Sequence, residues 1–112
     1  MSPITSHVLD TALGRPAQNL GLQLEVLENG TWLRLASGAT NQDGRATDLL
    51  PDGVLARGRY RLVFDTAAYH RAVGQPVFYP EVTIVFEIDA ASEHYHIPLL
   101  LSPFGYSTYR GS

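Results

Sequence analysis

His94 and His96 stand two residues apart at the start of a stretch, Glu93 to Ser112, that holds the densest set of chemically capable side chains in the sequence. In an extended strand, side chains alternate between faces, so His94 and His96 share one face and Tyr95 and Ile97 the other. An imidazole titrates near neutral pH and can remove and return a proton. With His7 from a second strand, the pair could instead form a three-histidine metal site with one open position. A third use is purely structural, since strand histidines also serve as hydrogen-bonding residues. The residues alone leave all three open. The stretch closes on Tyr109-Arg110-Gly111-Ser112, which sets hydroxyls, a guanidinium and a chain-end carboxylate side by side. Such a composition is expected to fold into a site rather than fray, as termini usually do. Arg45, directly after Gly44 in a polar turn, is the other cation of interest, and His70 is expected on a short helix as a partly solvated residue. No Gly-x-Ser-x-Gly segment is present, which removes the nucleophile-elbow form of serine chemistry. The acidic residues are scattered and show no paired-carboxylate pattern.

The bulk composition narrows the field further. A chain of 112 residues predicts one domain spanning 1–112. A net charge of -3 gives no electrostatic footprint for nucleic acid or anionic membrane. No apolar run approaches the length of a bilayer span. The start, Met1 to His7, lacks a basic region followed by an apolar core, so a cytoplasmic protein is expected. The absence of cysteine removes disulfides, thiolate nucleophiles and cysteine-based metal sites.

The elements that must position these residues are mostly strands. Ile4 to Asp10 reads as a first strand, with Thr5, His7 and Leu9 on one face and Ile4, Ser6 and Val8 on the other. Gly14-Arg15-Pro16 and Gly21 mark a loop. Leu22 to Val26 alternates as a half-buried strand, Asn29-Gly30 is a hairpin turn, and Thr31 to Leu35 returns. Thr40 to Arg45 and Pro51-Asp52-Gly53 are turns. Arg59 to Phe64 is a strand, Asp65 and Thr66 offer N-cap oxygens, and Ala67 to Val73 predicts the single helix, ended by Gly74. Val82 to Ile88 is β-branched and precedes a turn over Asp89 to Ser92. His94 to Leu101 and Phe104 to Tyr109 complete the set, the latter as a packed aromatic strand. Pro98 suits an edge or a strand end. Leu99-Leu100-Leu101 is either buried on both faces or meets a partner subunit. The pattern predicts an all-β sandwich with one short helix, and its limited core favours oligomerisation.

Three blocks carry a family resemblance. They are Ser6-His7-Val8-Leu9-Asp10 with Gly14-Arg15-Pro16-Ala17, then Thr40-Asn41-x-Asp43-Gly44-Arg45, and last His94 to Pro103 running on to Tyr109-Arg110-Gly111-Ser112. Their content and order resemble the 5-hydroxyisourate hydrolases, the enzymatic branch of the transthyretin-related family, over essentially the whole chain. The resemblance implies a transthyretin-like β-sandwich of two four-stranded sheets. It implies a homotetramer with sites where dimers meet, and hydrolysis of 5-hydroxyisourate to 2-oxo-4-hydroxy-4-carboxy-5-ureidoimidazoline in urate breakdown. No metal or organic cofactor is implied. The site residues carried over are His7, Arg45, His96 and Ser112 as catalytic groups, with His7, Arg45, Tyr109 and Ser112 on the substrate; His70 and His94 are not among them. A carrier of a small hydrophobic ligand would share the fold, but such a channel gains nothing from two histidines and an arginine. An immunoglobulin-like interaction module is the third reading, with the charged aromatic tail against it.

Overall fold

The computed structural model describes residues 2–53, 55–89 and 93–112. Beyond Asp89, the turn expected over Asp89 to Ser92 lies outside them, as does Met1 at the chain start. Two sheets face each other. One runs β4-β3-β6-β7, built from β3 (Gly21–Glu28), β4 (Thr31–Ala39), β6 (Gly58–Phe64) and β7 (Val82–Ile88). The other centres on β1 (Ile4–Asp10) and β8 (Tyr95–Ser102), which pair in parallel, with β9 (Gly105–Thr108) outside β8. Two short strands, β2 (Arg15–Pro16) and β5 (Arg45–Ala46), both pair with β1. The second sheet therefore has five strands rather than the expected four. The loop residues Arg15 and Pro16 and the turn end at Arg45 each add a two-residue rung, too short to show as a periodic pattern. Among the described residues no helix is long and apolar enough to cross a membrane.

The hairpin at Asn29-Gly30 has positive φ at both residues, 51° and 78°, the geometry of a tight two-residue turn that matches strand twist. The helix α1 (Thr66–Ala72) is capped by Asp65, whose carboxylate accepts from the Ala68 amide and satisfies a donor the first turn would otherwise orphan. Between the sheets lies the core: Ile4, Val8, Leu24, Leu62, Phe64, Val82, Leu99 and Leu101 are all fully buried. Leu99 and Leu101 point into it while Leu100 is half-buried on the other face, so the leucine run is an interior strand.

Three expectations need correction. Pro98 sits on β8, between β1 and β9, not at an edge. The Tyr95 amide donates toward the β1 side, to Pro3 O; alternation turns the Pro98 nitrogen to the opposite side. There the β9 ladder stops at Leu99 opposite Thr108, so no bond is lost. His70 is not partly solvated: it is fully buried under the helix. Its Nδ1 lies 2.7 Å from Gln75 Oε1. The aromatic side chains of the last strand do not enter the core. Phe104 is 67% exposed and meets Phe78, with ring centroids 5.8 Å apart, while Tyr106 stands edge-on to Tyr79 at 5.4 Å.

Candidate active site

The site grows from β1, whose outward face carries Thr5 and His7. On one flank, antiparallel β5 sets Arg45 opposite His7; on the other, parallel β8 sets His96 opposite Thr5. One strand thus gathers a guanidinium and imidazoles that are far apart in sequence. Two glycines then let chain approach. Gly44 has φ of 73°, and a Cβ there would lie 2.5 Å from the Val8 carbonyl oxygen, so only glycine can bring the turn close enough to β1 to place Arg45. Gly111 forms a bridge to His96, its amide donating to the His96 carbonyl at 2.9 Å. A Cβ on Gly111 would stand 2.5 Å from His96 Cδ2. The last residues therefore lie directly on the imidazole.

The result is a cavity of about 320 Å³ lined by Thr5, Arg45, Thr47, His94, His96 and Ser112. Arg45, His96 and Ser112, which the family resemblance groups, all line it. His7 is Arg45's partner across the β1–β5 ladder but does not line the cavity wall; it acts on His96 electrostatically. Tyr109 lies elsewhere. It borders a second cavity, about 340 Å³, between the sheets with Phe86, Tyr95 and Ile97. Arg110 also turns away, holding Glu93 at 3.0 Å and covering the Tyr95 ring at 4.4 Å from its centroid.

His96 is held below the ordinary imidazole pKa, first by its burial and then by the charges of Arg45, His94 and His7. It is therefore neutral at physiological pH and able to accept a proton. Among the described residues no carboxylate pairs with the Arg45 guanidinium, which leaves its five donors for something in the cavity. The metal arrangement considered for His7, His94 and His96 does not form. Among the described residues no group of three or more His, Cys, Asp or Glu side chains could hold a metal ion. His94 and His96 instead converge on one hydroxyl: Thr5 Oγ1 is 2.9 Å from His94 Nε2 and 2.8 Å from His96 Nδ1.

Sequence reasoning misses Thr5 and Thr47 as site residues, and His94, a candidate by its spacing from His96, is left out only by the family resemblance. Thr5 carries a signal, since period two puts it on the same strand face as His7. Thr47 carries none. Chemically, the cavity offers a neutral base, a fixed cation and small hydroxyls, which suits addition of water to a polar carbonyl.

Comparison with known proteins identifies the family and the fold. The model of the HIUase/Transthyretin family matches residues 4–111. A mouse protein named 5-hydroxyisourate hydrolase is 50% identical, over 99% of this chain and 96% of its own length. The solved structure of Klebsiella pneumoniae 5-hydroxyisourate hydrolase superposes with a TM-score of 0.83 at 34% identity, covering 97% of this chain and 98% of that one. Sea bream transthyretin, solved in complex with thyroxine, superposes with a TM-score of 0.91 at 32% identity, over 98% and 95% of the two chains.

Proposed function

The chain belongs to the HIUase/Transthyretin family, and from that premise we infer that it hydrolyses 5-hydroxyisourate to 2-oxo-4-hydroxy-4-carboxy-5-ureidoimidazoline. The observation that carries the reading is the convergence of Arg45, His96 and Ser112 on one cavity beside His7.

In the reaction, water attacks an amide carbonyl of the six-membered ring. One C–O bond forms, one C–N bond breaks, and the proton taken from water goes to the departing nitrogen. His96, kept neutral, takes that proton and returns it to nitrogen; a positioned imidazole contributes about 10²–10⁴-fold. Arg45 meets the oxygen that becomes negative, a role worth on the order of 10²–10³ in rate. The same guanidinium thus keeps the base unprotonated and stabilises the anion formed when the base acts. His7, half-buried beside Arg45, steadies the electrostatics of the pair, and Ser112 offers hydrogen bonds to the polar rim of the substrate. Tyr109 reaches the same substrate only if assembly or binding swings the tail. The reading includes a cytoplasmic location and a homotetramer, the latter supported by exposed Phe78 and Phe104 and by the outer edges of β7 and β9, which pair with no further strand among the described residues.

A carrier role has the closer backbone match in the thyroxine-bound sea bream structure. Fold, however, does not decide function, and a donor-rich cavity with a guanidinium in its wall is poorly suited to an apolar ligand. The test is the ultraviolet absorbance of 5-hydroxyisourate generated from urate by urate oxidase. The expected outcome is a faster loss of the intermediate when the protein is added. An unchanged decay would overturn the hydrolase reading.

A further inference from the structure

Thr5 is 2% exposed, so its Oγ1 is held in place between two imidazoles, 2.9 Å from His94 Nε2 and 2.8 Å from His96 Nδ1. A hydroxyl has one hydrogen to give. It can donate to one of these nitrogens only, and the other must carry its own proton and donate to the oxygen. The contact therefore couples the tautomer of His96 to His94.

The geometry points to Thr5 and His94 as positioning residues that fix His96 with its proton on Nδ1 and a lone pair on Nε2. In this arrangement His96 Nδ1–H donates to Thr5 Oγ1, and the Thr5 hydroxyl donates to His94 Nε2. The opposite order would put the His96 proton on Nε2 and leave it unable to take one from water. The surroundings favour the first order. Arg45, from β5, lines the same cavity as His96 and carries only donors and a positive charge, which disfavours a second N–H pointing into that space. The charged and titratable groups acting on His96 are Arg45, His94 ahead of β8 and His7 on β1, all of them groups whose charge is positive. A base oriented by a third group through its other nitrogen is a recurrent device for proton abstraction. Here a threonine and a second histidine would do it without a carboxylate.

The inference rests on the hydrolase reading for its function, but its first test does not. Ring ¹⁵N chemical shifts of His96 in the wild-type protein, measured above its titration, report which nitrogen carries the proton. The expected pattern is protonated Nδ1 and bare Nε2; a protonated Nε2 overturns the inference. The second test is kinetic. Thr5→Val should lower kcat by about 10–100-fold with KM little changed, as loss of an orienting partner does elsewhere. Thr5→Ser, which restores the hydroxyl, should recover most of the rate. His94→Ala, at an exposed position, frees the Thr5 hydroxyl to donate to His96 and should lower kcat and shift the ¹⁵N pattern toward Nε2–H. It stands as the test should Thr5→Val fail to fold. If the wild type does not accelerate 5-hydroxyisourate decay, the function fails and the tautomer stands on its own measurement. If the wild type turns over and both Thr5→Val and His94→Ala match it, the positioning role alone is wrong.

Discussion

Two polar networks hang on β1, one at each end, and each holds a histidine. They differ in how completely their partners are satisfied. At the C-terminal end, Asp10 accepts from the Ala12 and Leu13 amides on Oδ1 and from the Tyr69 hydroxyl and Gln75 Nε2 on Oδ2. Because Gln75 uses its amide hydrogens on that carboxylate, its Oε1 is the acceptor for His70 Nδ1–H. Burial pushes the Asp10 carboxyl up, but the donors from Tyr69, Leu13, Gln75 and Ala12 outweigh it and leave it below its ordinary value. The network ties α1 to β1, and only His70 Nε2 is left without a partner among the described residues. At the other end, Thr5, His96 and Arg45 face an open cavity, and no carboxylate among the described residues neutralises the guanidinium. A network closed around a carboxylate holds the fold, and one that opens on a cavity with its cation unpaired is free to act on a ligand.

Substitutions at the two ends should therefore separate activity from stability. The largest effect is expected for His96→Ala, with kcat down about 10²–10⁴-fold and KM and melting temperature little changed, read from initial rates and a thermal melt. Arg45→Lys keeps the charge but loses the planar fork, so kcat should still fall by on the order of 10²–10³. At the Asp10 end the pattern should invert. Tyr69→Phe removes a donor to a buried carboxylate and should cost about 1.5–3 kcal/mol of stability in chemical denaturation, with kcat retained at temperatures where the variant is folded. The smallest effects concern pH. A depressed carboxyl stabilises the fold at pH above its unfolded value, about 3.9, and that contribution fades as pH falls through the folded pKa. Tyr69→Phe should thus lose less stability in acid than at neutral pH. Independently, the acid limb of kcat/KM should lie below 6.5, the ordinary imidazole value, since His96 must be unprotonated to act.

Much of the fold and the site is legible in the amino-acid sequence. Period two places Thr5 and His7 together, the Asn29-Gly30 turn and the Asp65 cap mark two element boundaries, and the blocks around Arg45 and His96 mark the site. What is not legible depends on contacts between strands distant in sequence. Thr5 meets His94 and His96 only because β1 and β8 run in parallel register, which no local pattern encodes. His70 lies on a helix whose local sequence reads as half-solvated, and its burial follows from how α1 sits over Asp10. Tyr109 and Arg110 belong to a terminal motif of which Ser112 lines the Arg45 cavity while Tyr109 and Arg110 line the other cavity that borders His96. The bridge between Gly111 and His96, a contact distant in sequence, is what seats the chain end there.

The two cavities that border His96 offer the most direct test. Xanthine is a planar purine-dione that cannot undergo this ring opening, and its position in a crystal of the protein would mark the site. The expected result is density against Arg45, His96 and Ser112. Density between the sheets, against Phe86, Tyr95 and Tyr109, with the Arg45 cavity left to solvent, would contradict the assignment.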